Sequence, residues 1–442
     1  MAPDPADLTQ SLSWPVIRPI INTLNLSGHA AYVVGGAVRD MLLGLDPSDV
    51  DILTDAAPEA VNRLFAGRKI RQVGRTFEIS LINGVEVASC RSTPDAKFPE
   101  ADLGMRDFTI NSMAWDPFSG TLMDPFNGQR DLADKVIRFT RSPGDRIKED
   151  PIRMVRACRF SARYQSEIEP ASLAAIQSRK TEISTRAAGE RIRAEVVKAM
   201  AMARPSQFFL QLSHTGLLAL IFPSLDRCRD LDGGPHHGET VFEHCMLVGD
   251  ALPARRPMLR LAGYLHDVGK FDAARLKDGQ LTFPGHEKYC GALEEDLKRL
   301  RFSNKDMTYI LSLVRAHMRP LNEESTPRAV RRLLAMLADL DLTYHDFLRM
   351  RIADKKGNLA KAPYTLSQAR VRLGKIKEQL AAHSAFTMND LNISGREIQE
   401  VLGLSPGPKI GEIKRYLFDR VLEDPHLNTA PALTDLIREF KK

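Results

Sequence analysis

Cysteine is scarce and scattered in this chain: five residues in 442, at positions 90, 158, 228, 245 and 290, with no CxxC pair and an odd total. That excludes a disulfide framework and a cysteine-type zinc finger, and it suits a reducing compartment, the cytoplasm. Long apolar runs are missing too. No stretch approaches the roughly 20 residues that span a bilayer, so no membrane partner is expected. The opening, MAPDPADLTQSLSW, has acids where a secretory leader has positive charge, so no leader is expected either. Hydrophobic residues at 43% and charged residues at 27% are globular proportions, which excludes a mostly disordered or collagen-like chain. At this length one core does not suffice, and several domains are expected.

Charge is present in near balance, 62 − 56 = +6, but it is placed unevenly. Residues 1–60 hold 2 basic and 8 acidic side chains, whereas residues 135–204 hold 16 basic and 8 acidic. An acidic start suits cations, and a basic middle suits a polyanion such as nucleic acid.

The pattern along the chain predicts a small mixed α/β domain first. Tyr32-Val33-Val34 reads as a strand running into Gly35-Gly36 and a short helix over Val38–Leu43. A strand at Val50–Leu53, a helix from Pro58 and another strand at Ser112–Trp115 are expected. Ile79–Ile82 and Val85–Ala88 flank Asn83-Gly84, the signature of a tight primed hairpin. From Glu149 onward β signals almost vanish. Asp150-Pro151 reads as an N-cap followed by proline at the first helical position. The polar, glycine-rich 226–239 and the stretch 357–363 read as boundaries.

Two constellations carry chemistry. In the first, the Gly35-Gly36 turn enters a helix where backbone N–H groups favour phosphate, and Arg39 lies one turn further on. Asp49-Val50-Asp51 follows on the expected strand, whose alternation would send both carboxylates to one face, the arrangement that magnesium ions require. Glu86, on the hairpin, is a candidate third carboxylate. Downstream, Asp150, Arg153, Arg156 and Arg159 recur every three residues and share one side of a helix. A carboxylate beside a guanidinium there can meet the Watson–Crick edge of a base. In the second, His244, His266-Asp267, His286, His317 and Asp354 supply imidazole and carboxylate in the kind of set that holds one or two divalent metals. His236-His237 reads as linker.

The ordered motifs VVGGAVRDMLLG…DPSDVDI, MRDFTINSMAWDP, DPFNGQRDL and EDPIRMVRACRF resemble the class II tRNA nucleotidyltransferase and bacterial poly(A) polymerase family. The His…His-Asp…His…His…Asp order resembles the HD phosphohydrolases. These resemblances imply an α+β fold: a polymerase-β-like nucleotidyltransferase head over 1–145, then an all-helical neck (146–225), HD domain (226–362) and tail (363–442). They imply Asp49 and Asp51 as catalytic Mg2+ ligands. Gly35, Gly36, Arg39, Arg106, Asp107, Asn111, Arg156 and Arg159 would contact nucleotide, and Asp150 with Arg153 would template CTP and ATP. The HD site would hold Mn2+ or Ni2+, and neck and tail would grip tRNA. Met105 departs from the family, which has an arginine before Arg106.

Residues 90–105 are shorter than the family's basic loop, and a shortened loop marks members that stop after two cytidines. CC addition is therefore expected, or the full CCA. The alternatives are a poly(A) polymerase, a protein that is chiefly an HD phosphohydrolase, and a noncatalytic RNA-binding protein. The sequence sets no oligomeric state.

Overall fold

The structure, a computed structural model, describes residues 14–47, 49–67, 70–73, 79–90, 97–382 and 385–440, with backbone only for 70–73. The chain forms two compact units. One runs to Ala187 and takes in Leu210–Leu217; the other comprises Ala188–Phe209 and the chain from Leu218. Among the described residues no helix is long and apolar enough to cross a membrane.

The first unit is built on seven strands: β1 (Ala31–Val34), β2 (Asp51–Thr54), β3 (Ile70–Val73), β4 (Ile79–Ile82), β5 (Val85–Ser89), β6 (Ala114–Asp116) and β7 (Thr121–Met123). Their order is β3-β4-β5-β2-β1-β6-β7. Within this sheet β2 and β5 run parallel and the other described neighbouring pairs are antiparallel. A parallel pair needs a crossover, supplied here by residues 55–84. The β4–β5 hairpin turns at Asn83 (φ 52°) and Gly84 (φ 90°), the two positive φ values that a primed turn demands.

Helix α1 (Trp14–Leu26) places Ile17, Ile20, Ile21 and Leu24 on one stripe at i, i+3, i+4 and i+7. That stripe packs with Val33, Ile52 and Val87 on one sheet face. The opposite face carries Val34, Leu53, Ala88 and Ala114, packed with Leu103. Strand alternation therefore sends Asp51 and Glu86 to this second face, away from α1.

Two expectations shift. The strand expected at Ser112–Trp115 begins later, after a 3-10 turn over Thr109–Asn111. The Ser112 hydroxyl bonds the Phe108 carbonyl at 2.9 Å and meets Thr140, so its polar side chain serves the turn and not a ladder. The second shift is β2, which starts at Asp51, so Asp49 stands in a bend before the strand and not on it.

After α2 (Gly36–Leu42), α3 (Pro58–Leu64), α4 (Glu100–Leu103) and α5 (Gly128–Ala133) come α6 (Pro143–Glu149) and α7 (Ile152–Tyr164). Asp150 is extended (φ −151°) and accepts from the Ile152 N–H at 3.4 Å, while Pro151 is already helical. This is the cap-then-proline arrangement that the sequence suggests. Short β pieces persist beyond Glu149, against expectation. β8 (Val136–Ile137) pairs with β9 (Glu167–Ile168), and Arg275–Lys277 pairs with Gln280–Thr282. Runs of two or three residues are too brief to show a period.

In the second unit, helices Val241–Ala251, Pro257–Leu265, Asn304–Ala316 and Tyr344–Gly357 pack together. Thr240 and Glu243 form a reciprocal capping box at the first of them. Residues 385–440 hold a core of their own, including Ile398, Ile413, Leu417, Leu433 and Ile437.

Candidate active site and metal centre

The carboxylates of the head converge by register. Val34, Asp51 and Glu86 lie side by side across β1, β2 and β5. Burial raises the Asp51 carboxyl; Arg106 opposes this and Asp49 adds to it. Glu86 is also raised, by partial burial and then by Asp51 and Asp49. Carboxylates crowded together on a face that Arg106 borders form a site suited to a divalent cation. Gly35 borders the same place. Its φ is +71°, and a Cβ there would stand 2.5 Å from Arg106 Nη1, so the bare backbone leaves room for that guanidinium.

Arg39 behaves differently from expectation. It is 5% exposed. Its Nε and Nη2 donate to Asp40 Oδ1 at 2.9 and 2.7 Å, and Nη1 donates to Asn111 Oδ1 at 2.5 Å. The Tyr164 ring lies 4.9 Å from it. With all three nitrogens engaged, the guanidinium is committed to the head's interior and does not reach out as a phosphate clamp. Asn111 and Asp107 belong to the same net. Asn111 Nδ2 donates to Asp107 Oδ1 at 2.9 Å, as does the Phe108 N–H.

The arginine helix is also anchored inward. Arg156 meets Asp107 Oδ2 at 2.6 Å. Arg159 is 6% exposed and lies 4.4 Å over the Phe160 ring. Arg153 Nη1 bonds Glu149 Oε2 at 2.7 Å and its Nη2 bonds the Met105 carbonyl at 3.1 Å. Asp150 lies before the first turn of α7, and Glu149, at the end of α6, supplies a carboxylate to Arg153.

The second unit gathers the six expected ligands, with Asp267 touching four of the histidines. Its Oδ1 lies 2.9 Å from His286 Nε2 and 3.4 Å from His317 Nε2. Its Oδ2 lies 3.3 Å from His266 Nε2 and 3.7 Å from His244 Nε2, and receives Lys270 Nζ at 2.8 Å. Asp354 Oδ1 is 3.2 Å from His244 Nε2. Burial alone would raise Asp267, but His266 and Lys270 outweigh it and hold the carboxyl well below the usual range.

The tautomers follow from the outer partners. Nδ1 of His266, His286 and His317 donates to the carbonyls of Gly263, Phe283 and Val314, each three residues back, at 2.8, 3.1 and 2.5 Å. A carbonyl can only accept, so each Nδ1 carries a proton, and in the neutral ring the Nε2 lone pair points into the cluster. His266 Nε2 is buried there with no hydrogen-bond partner. Inward lone pairs with hydrogen-bonded outer nitrogens fit a resident divalent metal. His244, His266 and Asp354 would hold one ion, or Asp267 with His266 and His317 would, since the single Nε2 lone pair of His266 serves one ion at a time.

Sequence reasoning missed three neighbours. His237, read as linker, has its ring 4.6 Å from that of His244. Glu239 lies 2.8 Å from His237 Nδ1 and 3.1 Å from His244 Nδ1. Lys270 closes the LHDVGK segment, one helical turn after Asp267, and that i+3 spacing was the available signal.

Fold and site together define a nucleotidyltransferase head joined to a helical HD-type metal domain. The profile described as "Poly A polymerase head domain" matches residues 31–138, "Probable RNA and SrmB- binding site of polymerase A" matches 167–229, and "HD domain" matches 236–356. An A-adding tRNA nucleotidyltransferase of Deinococcus radiodurans is 32% identical over 412 residues, covering 88% of this chain and 90% of that one. A multifunctional CCA protein of Chromobacterium violaceum is 32% identical, covering 75% and 86%. The Bacillus stearothermophilus CCA-adding enzyme solved with CTP shares the fold at TM-score 0.69, with 23% identity and 98% of each chain covered. The chain belongs to the class II tRNA nucleotidyltransferase and bacterial poly(A) polymerase family, in its branch carrying an HD domain, and it is a nucleotidyltransferase.

Proposed function

We propose that this enzyme extends the 3′ end of tRNA with cytidines, CC or the full CCA, using CTP and ATP and no nucleic-acid template. The observation that carries this is the alignment of Asp51 beside Glu86, with Asp49 and Arg106 bearing on the same carboxylate. The RNA 3′ oxygen attacks the α-phosphorus, forming one P–O bond while the bond to the β-phosphate oxygen breaks. Pyrophosphate leaves, and the hydroxyl proton passes to water. Asp49 and Asp51 would hold divalent cations, Mg2+ above all, which supply charge neutralisation at the attacking and leaving oxygens. Gly35 and Gly36 form the floor of the nucleotide site, and Arg106 flanks it. Asp150 and Arg153 offer an acceptor and donors to the base. Asn111, Asp107, Arg156 and Arg39 act through the buried net that holds these elements.

The cytidine reading draws on the short stretch 90–105, of which 91–96 lie outside the described residues. A second reading, addition of the terminal A alone, draws on the D. radiodurans relative, whose match runs over 90% of its length. The HD centre is read as a second, metal-dependent phosphohydrolase site, supported by its converging imidazoles and carboxylates.

The test is incubation with tRNA lacking its CCA, and with tRNA ending in CC, using CTP, ATP or both. Products are resolved at single-nucleotide resolution. Two additions from CTP alone establish cytidine transfer, and a third with both nucleotides establishes CCA. Extension only of the CC-ended substrate by ATP would replace the first reading with the second. Long A tails on unstructured RNA would make the protein a poly(A) polymerase. No incorporation under any condition would remove the proposal.

A further inference from the structure

The outer partner of His244 differs from those of the other three histidines. His266, His286 and His317 each lean on a carbonyl three residues back. His244 sits inside its helix, where its own N–H already bonds the Thr240 carbonyl. Its Nδ1 instead has Glu239 Oε1 at 3.1 Å and the Gly357 carbonyl at 3.2 Å. Glu239 is 7% exposed, and Oε1 also meets His237 Nδ1 at 2.8 Å. Its Oε2 is fixed by two backbone donors, the Gly238 N–H at 2.9 Å and the Leu359 N–H at 3.1 Å.

We propose that Glu239 is a positioning residue of the HD centre, setting both the tautomer of His244 and the placement of Asp354 against it. A carboxylate can only accept, so it fixes the proton on Nδ1 of His244 and turns Nε2 toward Asp354 and Asp267. A negative partner also makes that imidazole a stronger ligand than a neutral carbonyl does. The Leu359 contact extends the effect, because Leu359 follows the helix Tyr344–Gly357 that carries Asp354. One side chain thus brings a ligand from the beginning of one helix into register with a ligand from another. The same oxygen orients His237, whose Nε2 faces Lys270 Nζ at 3.4 Å at the edge of the cluster. The inference rests on reading this cluster as a metal centre.

The experiment uses the full chain, stripped of metal and titrated with Co2+, whose visible absorption reports its coordination. Wild type should show a band that His266→Ala abolishes. Glu239→Gln keeps the shape but loses the charge. It should weaken Co2+ binding roughly ten- to a hundredfold and shift the band, with the melting temperature of the metal-free protein held within a few degrees. Glu239→Ala should weaken binding further; if it fails to fold, Glu239→Gln carries the test. Wild-type affinity and an unshifted band in Glu239→Gln would overturn the positioning role. If wild type itself shows no band dependent on His266, the metal centre falls first and the role of Glu239 goes with it.

Discussion

Arg156 grips a single oxygen of Asp107, with Nε at 2.7 Å and Nη2 at 2.6 Å. The other oxygen takes the Asn111 amide and the Phe108 N–H, and Asn111 passes the connection on to Arg39 and Asp40. One buried polar chain therefore joins the middle of α7 to the helix that follows the glycine turn. Such networks are rigid when every member is satisfied and costly when one is removed.

Replacing Arg156 with Ala leaves Asp107 buried without its counter-charge. Arg156 is 30% exposed, so the loss should fall at or below the low end for a broken buried pair, about 2–3 kcal/mol, measured by urea unfolding. The pH dependence has a definite sign. Burial alone would raise Asp107, but Arg156, Asn111 and the Phe108 N–H outweigh it and lower the carboxyl below its ordinary value. The stabilisation is therefore complete above an ordinary carboxylate pKa of about 4 and is lost as pH falls through the lower, folded-state value. Acid unfolding of Arg156→Ala should begin at higher pH than in wild type.

Asp51→Ala should reduce nucleotide incorporation by roughly a thousandfold, since a catalytic cation supplies several kcal/mol of transition-state stabilisation. Glu86→Gln should cost about tenfold if its carboxylate shares the cation. Single-turnover incorporation reads both, and Co2+ absorption at the HD centre should be unchanged in each variant. Wild-type incorporation in Asp51→Ala would contradict the placement of the active site.

Gly35→Ala forces a side chain into a left-handed backbone, at about 1–2 kcal/mol, and its Cβ meets Arg106. The expected result is modest destabilisation in thermal melting with a rise in the KM for CTP, as Arg106 is displaced from the Asp51 site.

Arg39→Lys separates a structural role from a phosphate-binding one. A lysine has one nitrogen where three are used, so stability should drop by about 2 kcal/mol. The KM for the triphosphate should change less than kcat. A large rise in KM with an unaltered unfolding midpoint would restore Arg39 as a phosphate ligand.

Local signals were legible where one segment sufficed. The Asn83-Gly84 turn, the Asp150-Pro151 helix start and the i, i+3, i+4, i+7 stripe of α1 each follow from nearby residues. The candidate carboxylates were legible as types, but their neighbourhood depended on the parallel pairing of β2 with β5, which no local period encodes. Asp49 reads as strand because the alternation of Asp51 and Leu53 extends back to it, two residues before β2 begins. Glu149 goes unnoticed beside Arg153 because it ends the preceding helix, four residues back across the Asp150-Pro151 break. Arg39 looked like a phosphate clamp because its true partner, Asn111, is 72 residues away. His237 and Glu239 were hidden by a glycine-rich surrounding that ordinarily signals a connection.

His266 and His317 each follow the last residue of a helix, Pro257–Leu265 and Asn304–Ala316, and bond a carbonyl of its final turn. A helix ends with roughly half a unit of negative charge, so two such ends converge on the aspartates before any side chain is counted. The backbone itself thus contributes an electric field that draws cations inward. Neutralising Asp267 alone would leave part of that attraction in place, whereas a free anion approaching without a cation would meet net repulsion.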